Sequence, residues 1–260
     1  MPRIKRREKD LVVNDRNSGY RQPRSKYVQE TNDQDNLIQI KPYLKKNREV
    51  VIVPRNLSQE KYLELLNDPT KFIVFAIGPA GTGKTLFGVQ MAIKQYKEGV
   101  IDKIVITRPA VSVDEDLGFL PGTLNEKMQP WVIPIMDVFK EYYHPREVTR
   151  MLDDGIIEIA PLSHMRGRTF KNSFIIADEC QNTTPNQLKM LLTRLGEGSR
   201  MVVTGDLNQA DRPHENGLLE FCNLFAQGGD QRMIAMAEFD VRDVERHPVV
   251  KEVLRLYKEV

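Results

Sequence analysis

The chain is poor in the features that would send it out of the cell or into a membrane. It holds two cysteines, Cys180 and Cys222, too few for a disulfide framework and without metal-ligand spacing. No apolar run approaches the ~18 residues of a membrane span, and the N-terminus, MPRIKRREKD, has no signal-peptide core. A reducing cytoplasm and no membrane partner are the expectation. The four histidines, His144, His164, His214 and His247, share no spacing, which leaves no resident metal site built on imidazole. The net charge is only +2, so no global basic field points to nucleic acid. Internal repeats are absent as well.

What is present suits one large domain with extensions: 260 residues, 40% hydrophobic and 28% charged. Residues 1–30 carry nine Lys or Arg against four Asp or Glu and show almost no apolar periodicity. Residues 1–36 therefore read as a flexible basic arm, either a plain solvated tail or a docking segment for nucleic acid or another partner. Residues 37–71 lead into the core, with a hairpin expected over 37–53 and a helix over 58–66 with Ser58 as its N-cap.

The core proper, 72–260, begins with FIVFAIGPAGTGKT at 72–85. An apolar, β-branched run ends in a glycine-rich turn, then Lys84 and Thr85. Gly78, Gly83, Lys84 and Thr85 satisfy G-x-x-x-x-G-K-S/T, and a strand before with a helix after is the context the pattern needs. Backbone N–H groups of the turn Gly78, Pro79, Ala80, Gly81, Thr82 and Gly83, proline excepted, would wrap phosphates. The glycines permit the required positive φ. Lys84 would reach the β- and γ-phosphates and Thr85 would bind Mg²⁺, with the positive end of the next helix behind the anion.

Strand and helix then alternate. Strands are expected near 72–77, 103–107, 155–160, 174–178, 200–204 and 233–237, and helices near 84–96, 184–195, 217–225 and 248–257. Residues 112–153 form a Gly/Pro-punctuated insertion holding the single tryptophan, Trp131. This pattern means a mostly parallel sheet covered by helices on both faces. Phe174-Ile-Ile-Ala-Asp178-Glu179 is a second strand ending in chemistry. Asp178 is placed to hold Mg²⁺ and Glu179 to orient and deprotonate water, which favours hydrolysis over kinase chemistry. No guanine-selecting Asn/Thr-Lys-x-Asp motif occurs. The third strand end, VVTGDLNQ at 202–209, offers a polar tip for the γ-phosphate or a plain Asp/Asn turn.

Together these strings resemble the PhoH family of P-loop ATPases. The resemblance covers roughly 50–258 and rests on GPAGTGKT at 78–85, ITRPAV at 106–111, LGFLPGTLNEKMQPW at 117–131, PLSHMRGRTF at 161–170, FIIADECQ through GDLNQAD at 174–211, and RHPVV at 246–250. It implies a RecA-like fold similar to the first domain of superfamily-one helicases, ATP and Mg²⁺ as ligands, and ATP hydrolysis with RNA or DNA unwinding. It further implies Gln209 as sensor and Gln59 as an adenine-reading glutamine. Departures are Cys180 within DECQ, where DEAQ is commoner, and the SVDED spelling before LGFLPG. No PIN nuclease domain is expected ahead of the core, and the resemblance does not imply ribonuclease activity.

About fifty residues follow Gln209, too few for a second RecA-like domain. An arginine at the γ-phosphate would then come from a neighbouring copy, which suggests a homo-oligomeric ring, a hexamer by resemblance. The arginines to consider are Arg166, Arg168, Arg194, Arg242 and Arg246, with Arg194 first and Arg168 second. Single-stranded RNA or DNA would meet Arg108, Arg166 and the insertion, with Phe119 or Trp131 stacking on bases. The competing reading is an ATP-gated assembly protein acting on a protein partner.

Overall fold

The computed structural model describes residues 49–109, 124–211, 216–228, 231–245 and 248–256. The basic arm, most of the expected hairpin and the first part of the insertion, Phe119 included, lie outside them. Residues 49–53 form no strand. The first element is helix α1, Leu57–Asn67. Its N-cap is Asn56, whose side chain accepts from the Gln59 N–H, rather than the expected Ser58. Leu57, the first helical residue, is exposed, so the polar-to-apolar change in sequence falls after the true boundary.

From there the chain runs β1 (Ile73–Ile77), α2 (Lys84–Lys97), β2 (Lys103–Thr107), α3 (Leu124–Tyr142), α4 (Pro145–Asp153), β3 (Ile157–Ile159), β4 (Ser173–Ala177), α5 (Pro185–Leu192), β5 (Arg200–Gly205), α6 (Gly217–Ala226), β6 (Ile234–Glu238) and α7 (Pro248–Leu256). The six strands form one sheet in the order β3-β2-β4-β5-β1-β6, and every pairing is parallel. The fold is thus an α/β P-loop fold of the RecA-like kind expected.

Period-2 alternation divides the strand residues between two cores. Val74, Ala76, Ile104, Ile106, Phe174, Ile176 and Val202 face one layer, where α1 through α4 supply Tyr62, Phe87, Ile93, Phe139 and Val148. Phe75, Val105, Ile175, Ala177 and Val203 face the other, against Leu188 and Leu191 of α5, Leu218 of α6 and Met165. Burial of both faces explains why the strands read as continuous apolar runs.

The expected strand at 155–160 is shorter, only Ile157–Ile159. The described part of the insertion is two helices, one of which carries Pro130 and Pro134 internally. Each proline removes a backbone donor from α3, and in sequence they disguise a 19-residue helix as punctuated loop. Strand order matters most for chemistry: β5 lies between β1 and β4, so its carboxyl end enters the space between the glycine-rich loop and Asp178-Glu179.

Candidate functional site

The loop after β1 turns on three glycines with left-handed φ, Gly78 (145°), Gly81 (84°) and Gly83 (89°). At Gly78 the need is also spatial, since a Cβ there would stand 2.3 Å from the Phe239 carbonyl oxygen. The loop is held from several sides. Gly78 N–H donates to Gly205 O (3.1 Å) and Glu245 N–H to Gly81 O (2.9 Å). Gln59 Nε2 donates to Thr82 O at 3.0 Å, while its Oε1 accepts from Arg55 N–H at 2.8 Å.

Gln59 is 3% exposed, and both ends of its amide serve the chain itself. The structure therefore makes it a clamp on the loop.

Lys84, 8% exposed, lies within the loop, its Nζ 2.6 Å from both Gly78 O and Pro79 O. Burial pushes its pKa down, opposed by the charges of Asp206, Glu179 and Asp178. The ammonium thus faces three carboxylates across the space where an anion would enter. Thr85 Oγ1 donates to Asp178 Oδ1 at 2.7 Å, and Thr204 Oγ1 donates to the same oxygen at 2.5 Å. A hydroxyl and a carboxylate this close, beside a phosphate-shaped loop, are the hard oxygen donors that Mg²⁺ takes. No group of three His, Cys, Asp or Glu suited to a metal occurs among the described residues. The residues therefore fit a cation that keeps most of its shell from water and phosphate.

Glu179 adopts a left-handed conformation, φ 55° and ψ 39°, uncommon for a residue with a side chain. Its Oε2 accepts from Gln181 Nε2 at 2.6 Å, and Gln181 Oε1 accepts from Asp206 N–H at 3.1 Å. Gln181 is 2% exposed. One buried amide therefore bridges the end of β4 to the end of β5. Asp206 caps the short turn Leu207–Gln209 through Asn208 N–H, which puts Gln209 at the mouth of the same space.

Lys84, Thr85, Asp178, Glu179, Thr204, Asp206 and Gln209 all line one cleft of about 310 Å³, together with Arg108 and Trp131. The last two were expected on nucleic acid, yet the structure brings them to this cleft: Arg108 from the end of β2, Trp131 with Pro134 and Ile135 from one face of α3. Thr204 and Asp206 belong to the polar tip expected at 202–209, whereas Gln181 carries no expected role. Their strings were visible at 178–181 and 202–209, but only the strand order joins them.

The arginines proposed for a neighbour's γ-phosphate are elsewhere. Arg168 forks onto Glu158 through Nη1 and Nη2 and lies 4.5 Å over the Phe170 ring. Arg194 is tied to Met190 O (3.0 Å), Arg168 O (3.1 Å) and Thr193 Oγ1 (3.1 Å). Arg242 pairs with Asp240. Arg246 lies outside the described residues. Cys180 is 1% exposed; burial, with Asp178 and Glu179 nearby, pushes its thiol well up. It is a small core residue beneath the acids.

A glycine-rich loop cradling a buried lysine, a hydroxyl-carboxylate pair and a second acid at the next strand ends define a P-loop nucleotide-binding protein of the ATPase type. The family model described as PhoH-like protein matches residues 51–258, and the chain belongs to that family. It is 45% identical over 207 residues to a PhoH-like protein of Bacillus subtilis, covering 78% of this chain and 63% of that one. With protein PhoH of Escherichia coli K12 the identity is 38% over 216 residues, covering 79% and 58%. The chain thus spans about three-fifths of the length of these relatives. Among solved structures it is similar to a Sulfolobus solfataricus SWI2/SNF2 ATPase core in complex with dsDNA, at 13% identity and a TM-score of 0.42, covering 76% of this chain and 48% of that one. No described helix is long and apolar enough to cross a membrane.

Proposed function

We propose that the chain hydrolyses ATP with Mg²⁺ and couples hydrolysis to binding or remodelling single-stranded RNA or DNA. The observation that carries the reading is the cleft, where Lys84, the Thr85–Asp178 pair and the bridged Glu179 converge within about 310 Å³. Loop N–H groups and Lys84 bind the β- and γ-phosphates. Thr85 and Asp178 would hold Mg²⁺, which supplies charge neutralisation on the phosphate oxygens. Glu179 orients the attacking water and takes its proton, while Gln181 keeps the carboxylate at the cleft. Gln209 and Arg108 reach the γ-phosphate end, and Arg108 gives the site a second cation from its own chain.

Arg168, committed to Glu158, makes a poor trans-acting finger. A ring of six copies would add further cations at each cleft from outside the chain. ATP turnover with and without single-stranded RNA and DNA, at rising salt and on protein of measured oligomeric mass, tests the coupling. Salt-sensitive stimulation by either polymer on an oligomer is expected. Turnover indifferent to both polymers, with no binding at low salt, overturns the nucleic-acid part in favour of an ATP-gated protein acting on a protein partner.

A further inference from the structure

A second and larger groove, about 870 Å³, runs along α5 against the segment 163–167. Its charged lining residues are Arg166, Lys189 and Arg194, and no acid lines it. The ATP cleft, by contrast, is lined by Asp178, Glu179 and Asp206. No carboxylate pairs with these three cations among the described residues, although neighbouring Arg168 is neutralised by Glu158. Arg194 is held in place by two carbonyls and a hydroxyl. That uses three of its five N–H donors and leaves its charge uncompensated. The capping box of α5 uses the Gln187 carbonyl oxygen, so its amide nitrogen stays available beside Asn186 at the positive end of the helix. Most of the lining is nonetheless apolar, supplied by Met190 and the aliphatic stems of the cations, so the charged heads stand at the rim of an apolar floor.

Uncompensated charge at three separate positions, on α5, its C-terminal end and the segment 163–167, suits a repeating anion better than a single one. We propose that this groove binds the phosphodiester backbone of single-stranded nucleic acid through Arg166, Lys189 and Arg194. The inference rests on the reading of the chain as a polymer-coupled ATPase and gives the polymer its place. It also moves Arg194 from a neighbour's γ-phosphate to the polymer. The groove is tied to the chemistry, because only the turn Cys180–Asn182 and the cap residues Thr183 and Thr184 separate Glu179 from α5. Cations at Arg166 and Lys189 that contact phosphate would contribute to the salt dependence of binding, at a slope of about 0.7 per contact for single strands.

The test is anisotropy of labelled oligo-uridylate and oligo-deoxythymidylate with the full chain over a salt series. It compares wild type, the double variant Arg166→Glu/Lys189→Glu, the double variant Arg166→Lys/Lys189→Arg, and Arg194→Met. Both changed positions in the double variants are exposed, and a thermal melt checks each fold. Charge reversal is expected to weaken binding at least ~10-fold and to flatten the salt slope by about 1.4. The charge-conserving double variant keeps both, and Arg194→Met loses affinity. Wild-type binding with unaltered affinity and slope in the reversal variant overturns the groove while leaving the polymer reading in place. Absence of wild-type binding to either oligonucleotide overturns the polymer reading and the groove with it. Labelled polyglutamate that binds in a variant-sensitive way, where oligonucleotides do not, identifies an acidic protein partner and also overturns the proposal. Unaltered oligonucleotide affinity in Arg194→Met overturns that residue's part in the groove.

Discussion

Glu179 holds its carboxylate at the cleft from a left-handed backbone, a conformation that costs a residue with a side chain about 1 kcal/mol or more. The turn after it, closed by Asn182 N–H to Glu179 O and Thr183 N–H to Cys180 O, keeps that geometry, and Gln181 aims the carboxylate. Gln181→Leu keeps the buried volume but removes both hydrogen bonds of the bridge. The expected result is a fall in kcat of about tenfold with ATP affinity nearly unchanged, since the phosphate contacts lie in the loop. Trp131, the single tryptophan, lines the cleft, so its fluorescence gives the affinity directly. Equal losses in kcat and affinity would mean that Gln181 only supports the fold. Of this arrangement, the two acids were legible because their chemistry is contiguous with an apolar strand. Gln181 was printed beside them, but its second partner, the Asp206 N–H, is 25 residues away and becomes a neighbour only through sheet order.

Among elements, the junction of β1 with its loop depends on a single atom's absence. Phe239 N–H donates to Ile77 O (2.8 Å) and Gly78 N–H to Gly205 O (3.1 Å), so the first residue of the loop is fixed between the ends of β6 and β5. Gly78→Ala would drive a Cβ into the Phe239 carbonyl at 2.3 Å, at a φ that also strains alanine. A loss of about 2–4 kcal/mol is expected, read by chemical denaturation, with weakened nucleotide binding. Gly99→Ala meets nothing within 4 Å and serves as the control, with only the cost of its own positive φ. The strands were legible because burial on both faces leaves them apolar end to end. Helix α3 was not, because Pro130 and Pro134 read as breakers when they lie inside a helix whose Trp131, Pro134 and Ile135 share one face. Trp131, expected from sequence to stack on bases, lines the cleft from that face.

At the scale of the molecule, the far edge of the sheet is held by charge as well as by apolar packing. Glu158 on β3 accepts from Lys103 on β2 at 2.9 Å and from the fork of Arg168. The Arg168 hydrogen bonds first, with Lys103 adding to them, hold the Glu158 carboxyl down at about 2, against an ordinary 4.5. A depressed folded-state pKa stabilises the fold fully above the unfolded value, and that contribution is lost as pH falls from about 4.5 toward 2. Glu158→Gln is expected to cost roughly 1–2 kcal/mol at pH 7 for a partly exposed pair, and to flatten the fall of melting temperature across that acid window. A variant whose acid limb matches wild type would show that the pair carries no such linkage.

The sheet with a core on each face itself followed from alternation and apolar runs. The grouping of Arg166, Lys189 and Arg194 in one groove did not, because it joins a loop after β3 to a helix after β4 across the second core.

The claim on which the rest depends is that the cleft hydrolyses ATP with Glu179 as the water-activating group. The measurement is single-turnover hydrolysis of ATP with Mg²⁺ by wild type and Glu179→Gln, with affinity followed through Trp131. The account predicts wild-type turnover reduced by about 100-fold or more in the variant, with ATP affinity retained. Equal turnover in both proteins would contradict it.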